Sequence, residues 1–429
     1  MNSFAQIMAE HKAGRSIGIY SACSAHPIII EAALDHARRL SGLALIEATS
    51  NQVNQDGGYT GMRPADFASF VFGIAERIGV PREQVLLGGD HLGPNCWQEL
   101  PAQAAMAKSE RLIADYVAAG FRKIHLDCSM SCADDPSPLG DAAVAARAAR
   151  LAQVAEQAWQ RAGGAAPVYV VGTEVPIPGG AQHALECLAP TEPAAARATI
   201  EAHRQAFKHA ELQDVWPRVI GLVVQPGVEF DHYKVVDFQA DQAADLAAVI
   251  EAEAHIVYEA HSTDYQTPAN LRALVERHFA ILKVGPGLSF AMREALWALD
   301  QIEREWLGAE RSSRLRETVL EAMADAPKFW NKHYRSEGRQ LVLDQQYSLS
   351  DRIRYYWPMP AVESALSRLL ANVDANPPPL TLLAQYLPLQ YEAIREGSLR
   401  LCGRELVRHQ VEQVLQQYSA ACSDSRQRS

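Results

Sequence analysis

The chain has 429 residues, enough for one large domain with an extension or for two domains. Its formal net charge of −11 argues against a general nucleic-acid binder, and no apolar run approaches the roughly 20 residues that cross a bilayer. We therefore expect neither a nucleic-acid nor a membrane partner. The seven cysteines are odd in number and irregularly spaced, and the N-terminus has no signal-peptide pattern, so we expect free thiols and a cytoplasmic location.

Eight short, mostly apolar runs alternate with longer helical patterns up to about residue 305. Nearly continuous apolar runs are typical of parallel strands that are buried on both faces. Eight strands that are each followed by a helix predict a closed (β/α)8 barrel. A doubly wound open sheet is disfavoured because no Gly-x-Gly-x-x-Gly follows the first run. The predicted strands are 17–20, 43–47, 85–90, 123–127, 168–174, 219–225, 256–259 and 281–284.

Start signals mark several of the predicted helices, such as the prolines at positions 27, 64, 193 and 268. After about Trp306 the alternation of strands and helices stops. Helical patterns continue over 311–324, 362–370 and 406–418, and the tail from residue 423 is expected to be disordered. We therefore predict a barrel over residues 1–305 that carries the active site, and a C-terminal helical region over 306–429.

Acidic residues stand at five of the predicted strand ends. The reactive groups of such barrels lie at these ends, so the five carboxylates would meet at one opening and repel one another. A cation would relieve the repulsion, and His91 and His261 can supply neutral nitrogen ligands. We therefore expect a bound divalent metal ion, with zinc as the first candidate and manganese or another ion as alternatives. The opposing interpretation is that both histidines are structural. The five carboxylates are Glu47, Asp90, Asp127, Glu174 and Glu259.

Other polar residues near the same strand ends are candidates for substrate binding. The amide of Asn51 suits hydroxyl-rich ligands because it offers a donor and an acceptor. A helix predicted to begin near Ser289 follows the last strand, where barrels commonly bind phosphate. Arg352 and Arg354 could reach a phosphate or an oligomer partner, although a surface ion-pair face is the simpler interpretation. The predicted substrate-binding residues are Ser21, Asn51, Gln225, Asp264, Ser289 and Arg354.

Seven segments of the sequence, taken together and in order, closely resemble one known family. This is the Z-subunit family of D-tagatose-1,6-bisphosphate aldolase, from galactitol and N-acetylgalactosamine catabolism. The resemblance runs over about residues 4–418. The longest segments are Glu47-Ala-Thr-Ser-Asn-Gln-Val-Asn-Gln, Gly88-Gly-Asp-His-Leu-Gly-Pro-Asn-Cys-Trp, Tyr258-Glu-Ala-His-Ser-Thr-Asp-Tyr-Gln and Ser348-Leu-Ser-Asp-Arg-Ile-Arg-Tyr-Tyr-Trp-Pro.

The resemblance implies two alternative functions. Members are described as accessory subunits that stabilise and activate a separate class II aldolase subunit, or as epimerases that interconvert tagatose and fructose, or their 6-phosphates, at carbon 4. The name tagatose-6-phosphate kinase finds no support, because the sequence has no Gly-x-x-x-x-Gly-Lys-Ser/Thr loop. The Asp90-His91 pair is similar to the Asp-His pair of class II aldolases, in which Asp moves a proton and His holds the metal.

The chemistry of the substrate favours an aldolase-like reaction. Carbon 4 of a 2-ketose is not adjacent to the carbonyl, so simple proton removal cannot invert it. Retro-aldol cleavage between carbons 3 and 4, rotation of the aldehyde and re-addition can do so with a divalent ion and two proton-transferring groups. Transient oxidation normally needs a nicotinamide, for which no fingerprint is visible. We therefore predict a metal-dependent ketohexose 4-epimerase, with a non-catalytic aldolase subunit as the alternative.

The hypothesis assigns the metal to His91 and His261, with Glu174 or Asp127 as a further ligand. Asp90 is the predicted first proton shuttle. We also expect a homo-oligomer that binds a ketohexose or its phosphate.

The second proton shuttle is predicted to be Glu47 or Asp127. Lys283 would stabilise an oxyanion or pair with a carboxylate of the opening. A Schiff base on Lys283 is the less favoured mechanism, because the neighbouring carboxylates would keep the lysine protonated.

Overall fold

The computed structural model describes residues 3–172 and 188–424. Its main sheet consists of β1 (Ile19–Cys23), β2 (Ala44–Thr49), β3 (Val85–Leu92), β4 (Lys123–Leu126), β5 (Val168–Gly172), β6 (Val219–Val223), β7 (Val257–Ala260) and β8 (Ile281–Val284). All neighbouring strands are parallel, and the sheet closes in the order β1-β8-β7-β6-β5-β4-β3-β2. The predicted (β/α)8 barrel is confirmed.

The ends of several strands differ from the predicted ones. β1 begins at Ile19 and continues to Cys23, and β3 continues beyond Asp90 to Leu92. The predicted end of the fifth strand, with Glu174, lies outside the described residues. A two-stranded antiparallel hairpin, Glu229–Phe230 with Val235–Val236, follows β6 and was not predicted.

Nine helices accompany the barrel strands in the described part of the chain. Four of them begin at the prolines that the sequence marked, because proline fits the first helical position. The ninth begins at Pro286 rather than near Ser289. They are α1 (Phe4–Lys12), α2 (Pro27–Arg39), α3 (Pro64–Arg77), α4 (Ala102–Ala118), α5 (Asp141–Ala162), α6 (Pro193–His209), α7 (Ala244–Glu251), α8 (Pro268–Glu276) and α9 (Pro286–Leu307).

The C-terminal part of the described chain is helical, and its last helix returns to the barrel. Tyr418 donates a hydrogen bond from its hydroxyl to the carbonyl of Thr263 (2.7 Å), and the carbonyl of Cys422 accepts one from the amide of Gly18 (2.9 Å). The predicted boundary at residue 305 falls in the last turn of α9, and the division into two regions stays a prediction. These helices are α10 (Leu315–Asp325), α11 (Gly338–Tyr347), α12 (Pro360–Ala375), α13 (Leu380–Tyr386), α14 (Pro388–Arg395) and α15 (Gly403–Cys422).

The apolar core lies between the strands and the surrounding helices. Ile46 of β2, Ile124 of β4 and Leu282 of β8 are completely buried there. Side chains alternate along a strand, so a residue next to each of these three faces the barrel interior. These interior residues include the charged Glu47, Lys123 and Lys283. None of the described helices combines the length and the apolar character needed to span a membrane.

Candidate active site

Two neighbouring glycines in β3 leave room for large side chains, Gly88 for Glu47 inside the barrel and Gly89 for the ring of Tyr116. A Cβ atom on Gly88 would lie 2.6 Å from Cγ of Glu47, and one on Gly89 would lie 2.7 Å from the ring of Tyr116. Gly88 is in register with Glu47 on β2 and with Lys123 on β4, so these three positions form one level of the barrel. The Gly-Gly-Asp-His run therefore lets Glu47 project across the interior beneath the Asp-His pair.

Three histidines form a triangle at the carboxyl ends of β3, β4 and β7. The ring centroid of His91 lies 5.2 Å from that of His125 and 5.0 Å from that of His261, and the last two are 5.4 Å apart. Both His125 and His261 are almost completely buried. We call His91, His125 and His261 the histidine triangle.

Carboxylates surround the histidine triangle. Asp127 lies 2.7 Å from Nδ1 of His91, and Asp90 lies 3.0 Å from Nδ1 of His125. Although burial opposes the shift, the Asp90 and Asp127 carboxylates raise the pKa of His91 to about 9. Burial lowers the pKa of His261 to about 4, although Glu259 accepts a hydrogen bond from its ring at 3.1 Å. His261 is thus neutral at pH 7, the form that a metal ion needs.

Two lysines lie beneath the histidine triangle and are paired with carboxylates. Nζ of the fully buried Lys123 lies 2.7 Å from Glu47 Oε1 and 2.6 Å from Glu259 Oε2. Lys283 donates to Glu47 and lies 3.0 Å from Asp90 Oδ1. Although burial opposes them, these anionic neighbours hold the pKa of Lys283 well above its usual range, with Asp90 contributing most. The carboxylates that the sequence placed at one opening are therefore partly neutralised by lysines.

Four residues of this cluster are close enough to share a metal ion. One donor atom each from Asp90, His125, Glu259 and His261 lies within 4.8 Å of the other three. A buried set of two imidazoles and two carboxylates matches the preferences of zinc and other divalent ions. The cluster can therefore hold a metal, and it includes His261 from the predicted ligands together with His125, which was not predicted.

A cavity of about 220 Å³ opens above the cluster, and we call it the first cavity. Eight of the predicted site residues line it. The first cavity is also lined by Tyr59, Phe230 and Tyr355, which were not predicted. The eight residues are Asn51, Asp90, His91, Asp127, His261, Asp264, Lys283 and Arg354.

The start of α9, where the sequence suggested phosphate, is already capped by a side chain. Oδ1 of Asp264 accepts hydrogen bonds from the amides of Gly285 (2.9 Å) and Gly287 (2.7 Å). Burial raises the pKa of Asp264 to about 6, even though both amides favour its charged form. The amides at this position, which bind phosphate in many barrels of this kind, therefore already donate hydrogen bonds to a carboxylate.

Comparison with known proteins identifies the family. The model described as D-tagatose-1,6-bisphosphate aldolase subunit GatZ/KbaZ-like matches residues 4–423. The chain belongs to this family. A crystal structure of a probable tagatose 6 phosphate kinase from Sinorhizobium meliloti 1021 is 48% identical, with a TM-score of 0.87, and the match covers 94% of this chain and 100% of that chain. The resemblance inferred from the motifs is confirmed, and it relates the chain to tagatose-bisphosphate aldolase.

Two further solved structures are much more distant. The YdjI aldolase from Escherichia coli K12 is 10% identical with a TM-score of 0.42, over 88% of this chain and 98% of that one. The fructuronate-tagaturonate epimerase UxaE from Cohnella laeviribosi is 11% identical with a TM-score of 0.47, over 94% and 81%. At this level of similarity neither carries an argument about function.

Four predicted residues do not line the first cavity. Glu47 and Ser21 are completely buried within the barrel. Gln225 uses its side-chain oxygen to accept hydrogen bonds from the amides of the two residues after Pro226, and so it shapes the loop after β6. Ser289 lines a neighbouring cavity and donates a hydrogen bond to Asp351. Glu174 lies outside the described residues.

Sequence reasoning missed Lys123 and His125, although a signal for both was present. Lys123, His125 and Asp127 alternate along β4 with apolar residues, which places all three side chains on one face of the strand. Only the last of the three stood at a predicted strand end. Reading the polar alternation within the strand, rather than its end alone, would have brought Lys123 and His125 into the site.

Lys283 is not expected to form a Schiff base, because its ammonium is held charged by buried carboxylates. Treating the chain with a ketohexose phosphate and borohydride should leave its mass unchanged by mass spectrometry. A single adduct of one reduced sugar on Lys283 would contradict this charge assignment and support the alternative mechanism.

Proposed function

We propose that this chain is a metal-dependent ketohexose 4-epimerase that interconverts D-tagatose and D-fructose, free or as 6-phosphates, by aldolase-like chemistry. The observation that carries the proposal is the histidine triangle with its carboxylates and Lys283, of which His91, His261, Asp90, Asp127 and Lys283 line the first cavity. Groups that move protons, stabilise an oxyanion and hold a metal are all required by retro-aldol cleavage, and they meet here. Family membership supports a tagatose-type substrate.

The reaction needs one carbon–carbon bond to break and re-form. A base takes the proton of the carbon 4 hydroxyl, the bond between carbons 3 and 4 breaks, and its electrons move to the oxygen of the carbon 2 carbonyl. The aldehyde rotates, and the reverse steps give the other configuration at carbon 4. When bound, a divalent ion supplies a Lewis acid for the carbonyl. Lys283 is charged and lies in the first cavity, so it is suited to face the developing oxyanion.

We assign the metal to His261 and His125, with Glu259 as a further ligand and zinc as the first candidate. His91 also remains a proposed ligand, because its ring is 5.0 Å from that of His261. With its pKa raised to about 9, His91 would have to release a proton when an ion binds. In the described arrangement Nδ1 of His91 is hydrogen-bonded to Asp127, so only its other ring nitrogen is available to an ion. Glu174 keeps its proposed role without a structural account.

Asp90 and Asp127 are the proposed proton shuttles. Both line the first cavity, whereas Glu47 is completely buried between Lys123 and Lys283. Only Asp127 of these two residues can reach a ligand in the first cavity, so we favour Asp127 over Glu47 as the second shuttle.

Replacing Asp90 by asparagine should lower kcat by about 100- to 10,000-fold, because a general base contributes about that much. The amide keeps the shape of the carboxyl group, so we expect the bound metal to stay within twofold of the wild-type content. Steady-state kinetics and elemental analysis on the same preparation test both points. Loss of metal in proportion to activity would instead make Asp90 a ligand, a role that its position in the cluster also permits.

The second candidate function is a non-catalytic subunit that stabilises or activates a class II tagatose-bisphosphate aldolase. The family's own description as an aldolase subunit favours it. The two functions are separated by incubating the purified chain alone with fructose, tagatose and their 6-phosphates, and by adding it to a purified class II aldolase. Epimerisation by the chain alone supports the first candidate. Activation of the aldolase without any epimerisation supports the second.

A further inference from the structure

Arg354 is a partly buried cation that forms no ion pair with a carboxylate among the described residues. Its guanidinium donates to the backbone carbonyls of Ser350 and Asp351 and to the hydroxyl of Tyr355 (3.2 Å). Within residues 3–172 and 188–424 no carboxylate oxygen lies within 4.0 Å of it. A guanidinium that lines a cavity without a carboxylate in direct contact is suited to bind an anionic ligand there.

The position of Arg354 fits a ligand that extends beyond the catalytic groups. Arg354 lines the first cavity and also a second cavity of about 420 Å³ beside it, which includes Ser24, His26 and Thr60. The first cavity is therefore lined by His91 and His261 of the histidine triangle and by Arg354, which it shares with the second cavity. Tyr59 and Tyr355, whose ring centroids are 4.6 Å apart, also line the first cavity.

The other anion site that a barrel offers at this opening is closed. The amides at the start of α9 already donate to Asp264, and a phosphate there would have to displace a carboxylate and lie beside it. Like charges repel strongly in a buried site. An anionic group on the substrate is therefore directed away from α9 and towards Arg354.

We propose that the ketohexose bound in the first cavity carries a phosphate on carbon 6 and that Arg354 binds this phosphate. The orientation rests on the proposed function, because retro-aldol chemistry puts the carbon 2 carbonyl at the histidine triangle. Carbon 6 is then at the opposite end of the sugar. A guanidinium can give two parallel hydrogen bonds to phosphate oxygens, which makes arginine well suited to this group.

A buried cluster behind Arg354 holds it in position. Asp351 accepts a hydrogen bond from Ser289 (2.5 Å) and lies 3.6 Å from Nε of the almost fully buried Arg293. Both Ser289 and Arg293 belong to α9, so the barrel fixes Asp351, whose carbonyl in turn accepts a hydrogen bond from Arg354. Ser289, predicted as a substrate-binding residue, thus acts through Asp351 as a positioning residue.

Calorimetric binding of fructose 6-phosphate and of fructose to the metal-loaded chain tests the proposal. In Arg354→Met we expect fructose 6-phosphate to bind about 10- to 100-fold more weakly, since hydrogen bonds to charged groups contribute about that factor, and fructose to bind as in the wild type. The matched control is Arg352→Met, because Arg352 carries the same charge but lines neither cavity and donates to Phe329 and His333. This control should bind both sugars like the wild type.

The outcomes separate this proposal from the proposed function, because binding is measured without turnover. Equal binding of fructose 6-phosphate by Arg354→Met and the wild type overturns it, as does an equal loss in Arg352→Met. Absence of fructose 6-phosphate binding by the wild type also overturns it. A selective loss in Arg354→Met supports the phosphate site even if the chain epimerises neither sugar, in which case only the catalytic proposal fails.

Discussion

Replacing Lys123 by methionine is expected to lower the free energy of unfolding by about 3–5 kcal/mol, the usual cost of removing one partner from a buried ion pair. Nζ of Lys123 lies within 2.7 Å of Glu47 and Glu259, and its side chain has no exposed surface. Methionine fills the space but leaves both carboxylates facing an apolar side chain inside the barrel. Denaturant unfolding of the wild type and the variant measures the difference.

A second variant shows whether the effect comes from charge. The loss of unfolding free energy in the double variant Lys123→Met with Glu47→Gln should be about 0.5–3 kcal/mol smaller than the sum of the losses in the two single variants, because the residues are in direct contact.

Lys108→Met is the matched control, since Lys108 is 43% exposed and lies 3.5 Å from Asp56 at the surface. It should change stability by less than about 0.5 kcal/mol. Equal losses for Lys123→Met and Lys108→Met would contradict the interior ion-pair network.

Replacing His261 by alanine is expected to remove the bound metal and, with it, any turnover by the chain. His261 is one of four residues with donor atoms within 4.8 Å of one another, and burial keeps its ring neutral. Loss of even a second-sphere partner lowers metal affinity by about 10- to 100-fold, so loss of a ligand should do at least as much. Elemental analysis after dialysis, together with the rate of epimerisation, measures both effects.

His203→Ala is the matched control for this prediction. His203 is also completely buried, but it lies on α6 and bonds through Nδ1 to the carbonyl of Thr199 (2.8 Å), on the same helix. This variant should keep its metal. His125→Ala should behave like His261→Ala, because both belong to the same cluster. Wild-type metal content in His261→Ala and His125→Ala would refute the ligand assignment while leaving the barrel fold untouched.

The barrel was predictable because its strands are buried on both faces and interrupted by clear start signals for helices. Pro27, Pro64 and Pro268 fix the first turns of three helices by local sterics that need no tertiary information. The hairpin Glu229–Phe230 with Val235–Val236 escaped prediction because strands of two residues leave no periodicity to detect. The observed strand ends differ from the predicted ones by a few residues, because they are set by hydrogen-bond pairing with neighbouring strands.

The candidate site was predictable in part. Asp90, Asp127, His261 and Lys283 reach the same cavity because a closed barrel brings all its strand ends together. The sequence pattern could not show which carboxylates pair with which lysines. The place of Glu47 at a predicted strand end indicated a carboxylate at the opening, yet the register of β2, β3 and β4 places it in the interior beside Lys123.

The sequence also did not show that the amides at the start of α9 already donate hydrogen bonds to a side chain. Asp264 follows β7 and the amides that it caps follow β8, so only the folded barrel brings them within 2.9 Å. The sequence suggested phosphate at this turn from the usual behaviour of barrels. The described contacts instead leave Arg354, from the C-terminal helical region, as the cation that an anionic group would meet.

The most direct test of the central claim is the composition of a sugar solution after incubation with the purified chain alone. D-tagatose 6-phosphate is added to chain loaded with Zn²⁺, to chain stripped by chelator, and to stripped chain reloaded with Zn²⁺, and the carbon 4 epimers are quantified by NMR. The proposed function predicts that both epimers appear in the first and third samples and that only tagatose 6-phosphate remains in the second. Unchanged tagatose 6-phosphate in all three samples, from a preparation that still activates a separate class II aldolase, would contradict it.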